Sequence, residues 1–485
     1  MLTRIREVRY AVRHALATLL GLPSESDFRR ENTAPVRVLF AAHQFFPEHR
    51  AGTEVLTLGL ARAMRSLGHD VRVFAAKRSA PVTDLPAGAA EDYEFEGVPV
   101  RRLGRPTESL SRPFRLNYAN PEVAGAFGDY LQDFRPDVVH FMHLQGLSAE
   151  AITVARASGV PAVYTATDFW AVCPVVDLRR HDGSMCSGPD PGHCIRCLAS
   201  RQPASRVARL AERVPAPVLR ATGAVSRVPR FPKPLPLRQI RDLSERLAYI
   251  RERVNSLDRI IAPTRLTRDM LVGNGVRPDI VEVSHYGIDT SNITPVPRNE
   301  KDSPGVRFGF IGTLGPHKGC DLLIQAFRDL PQNLNVTLAV YGNDRGFEGF
   351  EANLRRMAGD DPRISFLGTF PPAEIGDILA RMDALVVPSR WYENTPLVVY
   401  SAFAAGVPVV ATDLGGLSEV VEHEKNGLLF PLEDAAALAD RLGRLAREPG
   451  LLGRLRDGIG PVKTVEENAE ELLALYNGLV ERGTN

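Results

Sequence analysis

Eight short, mostly apolar runs recur along this chain, and most are followed by stretches with helical spacing. In the first half they are Val36–Ala42, Val71–Ala76, Asp137–Met142 and Val160–Thr165. In the second half they are Arg307–Ile311, Val336–Tyr341, Ala384–Val387 and Val407–Thr412. Strands covered on both faces read as continuous apolar segments rather than as an alternation. Strands that alternate with helices build parallel sheets. A chain of 485 residues exceeds what one hydrophobic core organises. The predicted fold is therefore α/β, with two Rossmann-like, doubly wound parallel-sheet domains. A ligand cleft lies between them, at the carboxyl ends of the strands.

The expected boundaries are a basic amphipathic extension over 1–34, a first domain over 35–290, a second over 291–464 and a C-terminal helix over 465–485. The stretch Asp289–Pro304, with its Pro, Asn, Ser and Asp residues, reads as the interdomain linker. The final helix carries Ala469, Leu472, Leu473, Tyr476 and Leu479 on one face.

Charge excludes some functions and leaves others open. The formal net charge is +1, which argues against a general nucleic-acid binder. No apolar run reaches the ~18 residues a membrane span needs. Residues 201–259 nonetheless carry 14 Arg/Lys against 5 Asp/Glu. At the N-terminus, Ile5, Val8, Val12, Ala15, Leu16 and Leu19 fall at helical spacing among Arg4, Arg6, Arg9 and Arg13. Arg13 and His14 interrupt any signal-peptide core. This leader reads either as a helix lying on an anionic membrane or as a segment packed on its own domain or poorly ordered. The Arg-, Pro- and Ala-rich insertion 198–253 reads either as a basic surface for a membrane or lipid-linked acceptor, or as a solvated helical cap. The expected location is cytoplasmic, with peripheral attachment to the inner face of the cell membrane as the extension of that reading.

The stretch Trp391–Phe430 carries the most chemistry. The run Ala384–Val387 leads to Ser389, then to Glu393, Asn394, Thr395 and Pro396. Threonine before proline suits an N-cap and N1 pair, so a helix is expected over Pro396–Ala405, ending at Gly406. A Gly415-Gly416 turn and Glu419 follow the next strand. A carboxylate beside a row of free backbone N–H groups suits sugar hydroxyls and phosphate together. In Phe308–Asp321, a strand and a glycine-bearing loop bring Lys318 just before a helix. There a lysine is a mobile cation aimed at a diphosphate; the plain alternative is a surface lysine. Lysine is scarce here, with six in the chain, so its place in a motif is informative.

These motifs resemble the family 4 retaining glycosyltransferases of the GT-B fold, over roughly residues 35–480. The resemblance implies a hexose moved from a UDP- or GDP-sugar to a glycan or lipid-linked acceptor, in cell-surface polysaccharide or glycoconjugate synthesis. It implies a last helix that crosses back to the first domain. It implies a donor site made by Gly312, Thr313, Lys318, Glu393, Asn394, Thr395, Pro396, Leu397 and Ser401. In that family the residue at Glu393 holds hexose hydroxyls. A second glutamate that holds the ribose falls at Ser401, and an arginine of the phosphate loop falls at Thr313, so the chain departs at both. The first domain would contribute an acceptor-side loop with His43 and Gly52, and His143 and Asp168. Relatives commonly have a histidine immediately before that aspartate; here it is Thr167. Of the two histidines in DVVHFMH, His140 and His143, both at the cleft end of the strand, His143 is the better acceptor-site candidate. Glu393, Lys318, Asp168 and His143 are the candidate catalytic residues. Without an Asp-x-Asp motif no catalytic metal is implied. The departures at Thr167, Thr313 and Ser401 keep a second reading open, a non-catalytic nucleotide-sugar or glycan-binding protein. A Rossmann oxidoreductase loses support because the G-x-G-x-x-G fingerprint is absent.

Four of five cysteines, Cys173, Cys186, Cys194 and Cys197, are closely grouped. Four thiolates suit a structural Zn²⁺ or an iron–sulfur cluster. Free buried thiols or a redox disulfide are the plain alternatives.

Overall fold

The computed structural model describes residues 34–79, 85–106, 113–201, 214–215, 217–219, 221, 235–295, 305–394 and 396–483. The expected leader helix, Thr395, much of the arginine-rich insertion and part of the expected linker lie outside the described residues.

Two sheets form. In the first, the spatial order is Ala90–Phe95, Val98–Pro106, Asp70–Ser79, Arg37–Ala42, Val138–Phe141, Ala162–Thr165, Arg259–Ala262 and Val281–Val283. All neighbours are parallel except the edge pair Ala90–Phe95 and Val98–Pro106. In the second, the order is Ile364–Gly368, Val336–Tyr341, Val306–Ile311, Ala384–Val387, Val409–Thr412 and Gly427–Phe430, all parallel. This is the two-domain parallel α/β architecture that the strand–helix alternation predicts.

Side chains of a strand alternate between faces. Leu39 and Ala41 therefore join one apolar layer with Phe74, Phe127, Phe141 and Trp170. Val38 and Phe40 join the opposite layer with Val73, Met64 and Tyr476. That second layer is completed by the last helix, Val465–Gly483, whose Ala469, Leu472, Leu473, Tyr476 and Leu479 are buried there beside the helix Gly52–Ser66. The chain thus ends on the first sheet after building the second. The second domain has its own two layers, one around Phe308, Phe327 and Leu438, the other around Leu385, Val399 and Leu417.

Several elements differ from the sequence reading. The edge strand Ala90–Phe95 alternates exposed and half-buried residues and carries Glu91, Asp92 and Glu94, so it lacks a buried-strand pattern. The helix expected over Pro396–Ala405 runs over Leu397–Ala404, with Pro396 in extended backbone at the N-cap. Gly406 follows it at φ 70°, a left-handed conformation that suits glycine.

Candidate active site

Loops from the carboxyl ends of both sheets face each other across a cleft of about 730 Å³. Gly312, Thr313, Lys318, Glu393, Asn394, Pro396 and Leu397 line it from the second domain. His43, Gly52, His143 and Asp168 line it from the first.

On the second-domain side, Val306–Ile311 ends in a loop that makes a short turn at Pro316–Lys318. Gly319 follows at φ 69°, and a side chain there would run into the carbonyl oxygen of Pro388. Glycine is what this close approach requires, and it starts the helix Cys320–Arg328. Lys318 Nζ reaches Glu393 Oε1 at 2.7 Å. The same oxygen accepts from Ser389 Oγ at 2.6 Å and Trp391 Nε1 at 2.8 Å. Lys318 Nζ also sits 4.9 Å from the Trp391 ring centre, a cation–π contact. Burial by itself would raise the Glu393 carboxyl, but Lys318 and the donors on Oε1 hold it below its ordinary range. Glu393 is therefore a buried carboxylate. His317 packs against Trp391 and Phe347, and burial together with Lys318 pushes its imidazole down to about 4. It is neutral at pH 7.

On the first-domain side, His143 is fixed at both ring nitrogens. Nδ1 accepts from Gln145 N at 3.0 Å, so in the neutral ring the proton sits on Nε2, which faces Asp168 Oδ2 at 2.5 Å. Asp168 Oδ1 accepts from Trp170 N at 2.7 Å. Thr167 Oγ1 donates to Met142 O at 2.8 Å. The His43 ring lies 4.0 Å from the His143 ring. Its Nε2 is 3.7 Å from Glu54 Oε1.

Glu54 and Tyr286 also line the cleft and were not singled out from sequence. Glu54 is fully buried at the start of the helix Gly52–Ser66, where Oε2 accepts from Ala51 N at 2.8 Å. Burial raises its carboxyl, against the hydrogen bonds from Gln44 and the backbone that favour the charged form. The Tyr286 hydroxyl is buried without a hydrogen-bond partner among the described residues. Glutamate at the third position of a helix is a capping signal, and that ordinary reading hides its place in the cleft wall. Trp391 opens the stretch Trp391–Phe430 and Ser389 lies two residues before it, but nothing in their spacing assigns them to Glu393.

Ser401 is not among the residues lining the cleft, and its Oγ donates to Leu397 O at 3.1 Å within its own helix. His140 does not face the cleft. It is fully buried, with Nε2 2.7 Å from Thr165 Oγ1 and Nδ1 in a short contact with the Tyr476 hydroxyl of the last helix. The four cysteines do come together around one small cavity, with His193 and Arg179. All are free thiols. Among the described residues no group of three or more His, Cys, Asp or Glu side chains is arranged to hold a metal ion, so a structural Zn²⁺ or iron–sulfur cluster is not supported. Burial pushes the thiols of Cys194 and Cys197 up to about 12 and about 11. They are packed as neutral thiols.

Comparison with known proteins agrees with the architecture. The profile described as glycosyl transferase 4-like domain matches residues 51–287, and that described as glycosyl transferases group 1 matches residues 305–448. The D-inositol 3-phosphate glycosyltransferase of Mycobacteroides abscessus is 31% identical over 211 residues, 41% of this chain and 46% of that protein. The corresponding protein of Frankia alni is 35% identical over 231 residues, 44% of this chain and 56% of that protein. The chain spans about half the length of the curated relatives it matches. Sucrose-phosphate synthase from Thermosynechococcus elongatus shares the fold at a TM-score of 0.61 and 18% identity, over 92% of this chain and 100% of that one. Anabaena HepE, solved in complex with UDP and glucose, does so at 0.57 and 17%, over 93% and 100%.

Proposed function

The chain belongs to the family 4 glycosyltransferases of the GT-B fold, and on that footing we propose that it moves a hexose from a nucleotide diphosphate sugar to a glycan or lipid-linked acceptor, with retention at the anomeric carbon. The observation that carries the reading is the pairing of half-buried Lys318 with buried Glu393 on the floor of the interdomain cleft. A bound diphosphate competes with Glu393 for the Lys318 ammonium. The negative charge that develops on the leaving phosphate is then met by a cation already in place. Glu393, held rigid by Ser389 and Trp391, accepts hydrogen bonds from the sugar hydroxyls. The start of the helix Leu397–Ala404 faces the same space and adds its N-terminal dipole.

The acceptor takes the first-domain wall. There the His143–Asp168 pair is a rigid unit whose ring nitrogens are both engaged, so its role is to position groups rather than to move protons. His43, its ring tilted 35° against that of His143, is the imidazole that borders the acceptor space. The proton of the acceptor hydroxyl goes to the leaving phosphate in this account, which asks for no protein base.

The relatives' names guide the choice of probes: UDP-glucose as first donor, and inositol 3-phosphate among the acceptors. Incubation with a panel of UDP-, GDP- and ADP-hexoses, followed by mass spectrometry, tests the proposal through formation of a hexosylated product. Binding without turnover of every donor selects the non-catalytic alternative. No described helix is long and apolar enough to cross a membrane. Docking on an anionic bilayer is the companion proposal, supported by the arginine-rich sequence of Leu2–Leu22 and of 198–253. Its test is co-sedimentation with anionic vesicles that weakens as salt rises. Protein left in the supernatant at low salt contradicts it.

A further inference from the structure

Asn394 follows Glu393 in the donor loop, yet both ends of its side chain are engaged by the opposite domain. Its Nδ2 donates to Ala166 O at 2.7 Å. Its Oδ1 accepts a short hydrogen bond from Thr267 Oγ1. Ala166 lies two residues before Asp168, so this one side chain ties the strand end that carries Asp168 to the loop that carries Glu393. Thr267 is buried, and its hydroxyl lies 2.8 Å from Thr264 Oγ1, the N-cap of the helix Arg265–Gly273.

The same helix is gripped a second time. Its first N–H groups have no partner within the helix. Arg265 N and Leu266 N each donate at 2.7 Å to Glu419, a carboxylate of the second domain. A carboxylate at a helix N-terminus is favoured by the exposed N–H groups and by the helix dipole. The Gly415-Gly416 turn makes this approach possible. A side chain at Gly415 would lie 2.7 Å from Leu266 Cδ2. One at Gly416 would lie 2.3 Å from Glu393 O and 2.7 Å from Asn394 O within its own domain, and 3.2 Å from Thr264 Cγ2 of the first domain. Glu419, which in sequence looks like part of a ligand-binding turn, faces the first domain instead.

We propose that Asn394 and Glu419 are positioning residues that strut the two domains together, setting the separation between the Glu393 half of the cleft and the Asp168 half. The geometric part stands on the contacts alone, and its consequence for transfer rests on the reading of the cleft given above. Near-attack geometry is sensitive to displacements of an ångström. Loss of the strut therefore lowers turnover while leaving intact a donor site built wholly within the second domain.

The test uses the full chain with Asn394→Ala, Thr267→Val and Glu419→Ala, each read three ways. Small-angle X-ray scattering is expected to show a larger radius of gyration in Glu419→Ala and in Asn394→Ala than in wild type. Calorimetric titration with UDP is expected to give dissociation constants within about threefold of wild type in Thr267→Val and Glu419→Ala, whose residues stand outside the donor set, and release of UDP from UDP-glucose is expected to fall by about 10- to 100-fold in all three. Asn394→Ala and Thr267→Val remove the same hydrogen bond, so the double variant is expected to fall less than the product of the singles. Glu419→Gln keeps one carbonyl oxygen for the helix N–H groups and is expected to recover part of the loss. An unchanged radius of gyration, with UDP affinity falling as far as turnover, overturns the proposal and makes Asn394 an ordinary donor contact. Independent, multiplicative effects of Asn394→Ala and Thr267→Val also overturn it. If wild type binds no UDP, the donor reading fails, and scattering still decides the strut: expansion in the variants supports it and none refutes it.

Discussion

Lys318 Nζ and Glu393 Oε1 stand 2.7 Å apart on the floor of the cleft, and the half-buried ammonium makes the buried carboxylate's charge tolerable there. Lys318→Ala leaves Glu393 buried without its cation, an outcome more costly than removing both charges. The expected loss of stability is roughly 1–3 kcal/mol for Lys318→Ala, partly recovered in the Lys318→Ala/Glu393→Gln double variant. Denaturant unfolding of Lys318→Ala, Glu393→Gln and the double variant measures it. Additive losses in the double variant contradict the pairing.

His140 gives the fold an acid-sensitive joint. Burial pushes its imidazole down to about 3 from an ordinary 6.5. Because the folded value is depressed, the unfolded chain takes up the proton first. The contribution of His140 is complete above pH 6.5 and is lost as pH falls from 6.5 toward 3. At about 1.4 kcal/mol per pH unit, this group alone costs on the order of 4 kcal/mol by pH 3. His317, pushed down to about 4, adds to the slope over pH 6.5 to 4. His140→Asn is expected to be less stable at pH 7 but to lose stability less steeply on acidification. Unfolding free energies at four or five pH values show it, and an unchanged slope contradicts the assignment.

The cysteines are expected to react slowly. Cys194 and Cys197 are buried and held as thiols, at about 12 and about 11, and the thiolate is the reactive form. Native alkylation at pH 8 followed by peptide mass spectrometry should label Cys186, the half-buried member, ahead of Cys194 and Cys197. Rapid labelling of Cys194 contradicts the packing described.

Much of the architecture was legible because it rests on local patterns. Val138–Phe141 is buried at every position and reads as a continuous apolar run broken only by His140. Ala90–Phe95 escaped notice because an edge strand pairs on one side and keeps polar residues toward water. At the site, Lys318 and Glu393 stood out through motif and spacing. Ser401 occupies a motif position, but its hydroxyl bonds back to its own helix, a local competition that position in a motif does not reveal. Glu419 looked like a free carboxylate beside a glycine turn. Its partners, Arg265 and Leu266, lie about 150 residues away, and no local signal links them. The four cysteines are adjacent in space as they are in sequence, but proximity alone does not fix ligand geometry.

Gly319 tests the shape of the phosphate-facing loop. Its φ of 69° and its closeness to Pro388 O leave no room for a side chain. Gly319→Ala is expected to cost roughly 1–3 kcal/mol and to displace the neighbouring Lys318. Thermal unfolding and donor titration should change together. A normal melting temperature with normal donor affinity contradicts the loop geometry.

The most direct test of the central claim is calorimetric titration of UDP and UDP-glucose into wild-type protein, Lys318→Ala and Glu393→Ala. If Lys318 meets the diphosphate and Glu393 the hexose, Lys318→Ala weakens both ligands. Glu393→Ala weakens UDP-glucose more than UDP, and each variant lowers turnover by at least about 100-fold. Wild-type-like binding and turnover in both variants would contradict the assignment of this cleft floor as the donor site.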